Sequence, residues 1–95
     1  MSELLNNDFE NYSKINNKCI TTIKEICESN RNVKNWMVIG ATLKNLCIEI
    51  RVGAGYEEDK ETLKWLIGKI FDSFLGKHDT QIRSGYNQLI VTVFY

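Results

Sequence analysis

The stretch 37–52, MVIGATLKNLCIEIRV, decides the fold. Met37, Ile39, Ala41 and Leu43 recur at every second position, and after a short polar break Leu46, Ile48, Ile50 and Val52 do the same. A period of two belongs to a strand with one buried face, so the stretch reads as a β-hairpin. With Lys44 and Asn45 as a two-residue turn, Leu43 faces Leu46, Ala41 faces Ile48 and Ile39 faces Ile50, which puts both apolar sets on one side. Trp36, Val38, Gly40, Thr42, Cys47, Glu49 and Arg51 are then expected on the other side.

Upstream of the hairpin, Leu5, Phe9, Tyr12, Asn16, Cys19, Ile23 and Ile26 step by 4 and 3 in alternation. That spacing predicts an amphipathic helix over about 3–29 with a narrow seam. Asn16 interrupts the seam, and the weak helix formers Asn16 and Asn17 leave two shorter helices with a bend as the alternative. Asp8 offers an alternative N-cap that would leave residues 1–7 frayed. Ser29, Asn30, Arg31 and Asn32 supply the stop.

Downstream, Gly53, Ala54 and Gly55 break the second strand, and Glu57, Glu58 and Asp59 suit the positive end of a second helix. Leu63, Leu66, Ile67, Ile70, Phe71 and Phe74 form its buried stripe, and Gly76 its natural stop. A second hairpin is expected to join 80–84 to 88–95 around Gly85, Tyr86 and Asn87, with Ile82, Leu89, Val91 and Val93 facing the core. The order helix, hairpin, helix, hairpin predicts an α+β domain over 1–95: two αββ units, one four-stranded antiparallel sheet, and two helices packed on one face.

Composition narrows the function classes. Twelve basic and twelve acidic side chains cancel, so no whole-molecule field draws the chain to nucleic acid or to an anionic membrane. The longest apolar runs are far below the roughly 20 residues that span a bilayer, and no basic-then-apolar leader opens the sequence, so the reading is a soluble, cytoplasmic protein with no membrane partner. Three cysteines, Cys19, Cys27 and Cys47, cannot all pair internally and read as reduced thiols. The absence of proline and the abundance of Asn, Ile and Lys suggest an AT-rich genome, viral or phage among them.

Nothing in the sequence marks a catalytic centre. His78 and Asp79 are adjacent, but no nucleophile is placed beside them, and His78 reads as a loop histidine. Cys19 and Cys27 are spaced for no zinc site, and no metal or cofactor is expected. Gly53-Ala54-Gly55 precedes a helix, yet the carboxylates that follow would repel a phosphate. The expected function is therefore non-catalytic.

Trp65 is the strongest pointer to a binding surface. It falls roughly 160–200° around the second helix from the apolar stripe, at about 100° per residue. A large indole among charged side chains is either covered or used for binding. With Tyr56 and Tyr86 as loop aromatics and Glu61, Lys69 and Asp72 as polar surround, it defines a candidate protein-binding site for an inhibitor, immunity protein or adaptor that occludes a partner. The alternative is RNA or single-strand binding on the open sheet face through Arg51, Arg83, Trp36 and Phe94. A homodimer through the Asn16-containing seam is also compatible with the pattern.

Overall fold

The computed structural model describes residues 2–75, 77–83 and 85–94, and within the first helix the side chains of Lys14 and of residues 16–28. Elements run α1 (Ser2–Glu28), β1 (Val33–Ala41), β2 (Asn45–Val52), α2 (Tyr56–Phe74), β3 (His78–Arg83) and β4 (Gln88–Phe94). The four strands form one antiparallel sheet in the order β1-β2-β4-β3, with both helices packed against it. This is the α+β architecture of two αββ units, joined where β2 of one hairpin pairs with β4 of the other. Gly76, the expected helix stop, lies outside the described residues, as do the side chains of Leu5, Asp8, Phe9 and Tyr12.

Alternation along the central strands builds the core. Leu46, Ile48, Ile50 and Val52 on β2, with Leu89, Val91 and Val93 on β4, turn to the helices and are buried. Ile23, Ile26 and Cys27 of α1 and Leu63, Leu66 and Ile70 of α2 close over them. Each fully buried Leu or Ile stabilises the fold by roughly 1.5–3 kcal/mol through area removed from water. Helix α1 runs unbroken through Asn16 and Asn17, and its buried side chains among those described begin at Cys19. The molecule is elongated, 53 × 22 × 22 Å, consistent with a 27-residue helix about 40 Å long.

The first hairpin departs from the simple alternation. Its turn lies at Leu43 and Lys44, one residue earlier than expected, because the Thr42 hydroxyl accepts the backbone N–H groups of Lys44 (3.1 Å) and Asn45 (3.0 Å). Ala41 therefore pairs with Leu46, and an irregularity between Val38 and Gly40 leaves Ile39 as an extra residue. That β-bulge inverts the strand from Val38 back to Asn35, and a second irregularity between Asn35 and Val33 reverses it again. Trp36 now pairs with Ile50 and Val38 with Ile48, so both face the helices, while Met37 pairs with Glu49 on the open side. The bulge also makes β1, an edge strand, a poor template for strand addition.

The second hairpin forms as expected, with Ile82 opposite Leu89 and Thr80 opposite Val91, but its first strand begins at His78 and Ile82, although on the helix side of the sheet, is exposed. Gly85 (φ +62°) and Tyr86 (φ +71°) both adopt the left-handed region, as a tight two-residue turn requires. Helix α2 ends on Leu75 in the same region (φ +47°), whose N–H bonds the Phe71 carbonyl at 2.9 Å.

Candidate functional site

The N-terminal half of α2 and the loop before β1 build a groove of about 530 Å³. Trp65, Glu57, Glu58, Glu61 and Thr62 line it from the helix, and Asn30 and Asn32 from the loop. Its floor is pinned by Thr62, which is buried; the hydroxyl donates to the Glu58 carbonyl (2.7 Å) and accepts from the Asn32 amide (3.2 Å). Asn30 holds the loop in turn, its Oδ1 accepting the Asn32 backbone N–H at 2.9 Å. At the start of the helix, buried Asp59 accepts the Ala54 N–H at 2.9 Å, which fixes the glycine-flanked entry. Gly55 suits this position because its φ of +131° is a backbone conformation that L side chains rarely adopt.

Trp65 is half-buried: one side packs against the margin of the core and another lines the groove. The Lys69 ammonium lies 5.7 Å from its ring centroid, within cation–π range. Glu57, Glu58 and Glu61 form no ion pair among the described residues.

The other expected anchors sit elsewhere. Tyr56 and Tyr86 meet edge to face with centroids 5.8 Å apart, and Lys60 caps them at 5.1 and 5.7 Å. Tyr56 is nine positions before Trp65, about half a turn around the helix at about 100° per residue. The proposed aromatic set is thus two clusters on opposite flanks of α2, of which the groove contains Trp65 and Glu61. Asp72 is exposed further along the helix, outside the lining of the groove. Asn30, Asn32, Glu57 and Thr62 were not expected at the site. Only an i, i+4 reading from Trp65 back to Glu61 and Glu58 could have found part of it, because the loop contribution is a tertiary contact.

The open sheet face places Arg51, Gln88 and Arg83 in one row across β2, β4 and β3. Arg51 is ion-paired with Glu49, and the Arg83 guanidinium bonds the Gln81 amide oxygen at 3.2 Å. Trp36 is on the helix side, not beside them, since the bulge turns it over. Phe94 lies opposite Asn45, at the far end of β2 from Arg51, roughly 20 Å away by strand rise. Neither Trp36 nor Phe94 therefore stands next to the arginines for a base to stack on.

His78 begins β3 instead of lying in a loop. By register it faces the helices, where it meets Phe71 edge to face at 5.6 Å, whereas Asp79 faces the open side opposite Thr92. The two cannot form an oriented pair. Burial raises the Cys19 thiol and pushes that of Cys27 up to about 12, with Glu28 adding to the latter. Among the described residues no group of three or more His, Cys, Asp or Glu is placed to hold a metal ion, and no helix is long and apolar enough to cross a membrane. Compared with known protein families, curated proteins and solved structures, the chain matches none.

Proposed function

We propose that the protein is a non-catalytic interaction module that binds another protein through the Trp65 flank of α2 and acts by covering a surface that partner needs. The observation that carries this reading is the groove itself: a half-buried indole and a charged rim on rigid elements, with the floor tied by the Asn32–Thr62 hydrogen bond. Partly buried Trp side chains framed by polar groups are the residues on which interface energy concentrates. An inhibitor, immunity protein or adaptor works by such occlusion, and the free thiols suit action in a reducing cytoplasm.

Affinity capture from the source cells, with wild type and Trp65→Ala compared at equal folding, tests the reading. Trp65→Ala is expected to weaken partner binding by roughly 2 kcal/mol or more. A partner retained in full by Trp65→Ala would contradict it. The sheet-face alternative has less support, because the bulge has taken Trp36 away from the arginines.

A further inference from the structure

We propose that two copies of the chain join edge to edge along β3, antiparallel about a twofold axis at Gln81, so that two four-stranded sheets become one continuous sheet. The Phe94 N–H donates to the Lys77 carbonyl at 2.9 Å, and the β3–β4 ladder continues from there without a shift through Asp79–Thr92, Gln81–Ile90 and Arg83–Gln88. Hydrogen-bonded pairs alternate along an antiparallel ladder, so Asp79, Gln81 and Arg83 turn their backbone groups to β4 while His78, Thr80 and Ile82 turn theirs outward. Because β3 is an outer strand, those outward groups face no other strand of the sheet. The Thr80 N–H is met by the Asp79 carboxylate beside it, at 3.0 Å. The opposite edge, β1, has two irregularities in its ladder, whereas β3 has none and remains a template for strand addition.

Charge selects both the occupant and the register. The open side of β3 carries Asp79, Gln81 and Arg83, and neither Asp79 nor Arg83 forms an ion pair among the described residues. With Gln81 opposite Gln81, Asp79 of each copy stands opposite Arg83 of the other, in the non-hydrogen-bonded pairs where side chains approach most closely. The same register sets the outward backbone groups of Thr80 against those of Ile82 in the other copy, and symmetry makes every contact twice. Centring the axis on Thr80 instead would place Arg83 opposite Lys77, a repulsive pair. On the helix side, which stays continuous across the seam, Phe71 and Ile82 are 56% and 41% exposed, Phe71 lying against His78 at one end of the strand and Ile82 near the other. Pairing at this edge brings a second apolar flank towards both. Phe71 is six positions after Trp65, about 120° around α2 at about 100° per residue, so the inference is independent of the Trp65 groove and a dimer would carry two such grooves.

Sedimentation equilibrium of the full chain over about 5–500 μM tests this. Wild type is expected to show a monomer–dimer equilibrium. Asp79→Arg sets Arg against Arg and Arg83→Asp sets Asp against Asp, so each should weaken dimerisation about tenfold or more with its melting temperature near that of wild type. An equimolar mixture of the two variants makes every facing pair opposite in sign and should restore dimerisation to within about threefold of wild type. Wild type that stays monomeric to about 500 μM overturns the proposal. So does a dimer that both variants form as well as wild type, which would place the contact elsewhere, such as the α1 seam, or a mixture of folded variants that associates no better than either alone.

Discussion

Trp65 shows how far a single residue can be read. Helical periodicity gave its angle from the buried stripe, and it does line a groove, but the angle could not supply the neighbours. Asn30 and Asn32 reach it only because the chain turns between α1 and β1, a contact with no local signature. Leu75 carries a prediction at this scale. It holds a left-handed φ of +47° and is 81% exposed, so its side chain contributes little burial to set against the strain. Leu75→Gly is expected to raise stability by about 0.5–1 kcal/mol in denaturant unfolding; a loss would show that the leucine packs on something. Cys27 carries another. Its folded pKa, near 12, stands above the ordinary 9.0, so the neutral thiol favours the folded state fully below about pH 9. That contribution is lost as pH rises from 9 towards 12. The melting temperature of Cys27→Ala should therefore fall less steeply than that of wild type over this window. Parallel slopes would refute the assignment.

Among the elements, both helices and all four strands were legible from their periods of 3.6 and 2, although Phe71 and Ile82, expected on buried faces, are exposed. The register of the first hairpin was not legible, because two local effects were invisible in the hydrophobic pattern. The Thr42 hydroxyl organises the turn one residue early, and Ile39 bulges out of the ladder. Since a one-residue slip exchanges the faces of a strand, the bulge reassigns Trp36 and Met37. Trp36→Ala is expected to cost about 2 kcal/mol or more and Met37→Ala less than about 1 kcal/mol. The reverse order, read by thermal or urea unfolding, would restore the unbulged register. Asn32→Ala removes the amide that ties the loop to Thr62 and should cost about 1 kcal/mol. Its effect on partner binding should be larger than on stability, because the loop wall of the groove would loosen.

For the molecule as a whole, charge balance and the absence of a catalytic spacing pointed away from enzymes and towards a surface, and the structure supplies a surface with shape. The sheet face and the Trp65 groove lie on different sides, so the two binding hypotheses can be separated by mutation. The most direct test is capture of a partner by wild type, Trp65→Ala and Arg51→Glu/Arg83→Glu in parallel, with the melting temperature of each measured. The account predicts three folded proteins, partner binding lost only in Trp65→Ala, and binding retained when the arginines are reversed. Retention by Trp65→Ala with loss in Arg51→Glu/Arg83→Glu would contradict it and move the function to the open face of the sheet.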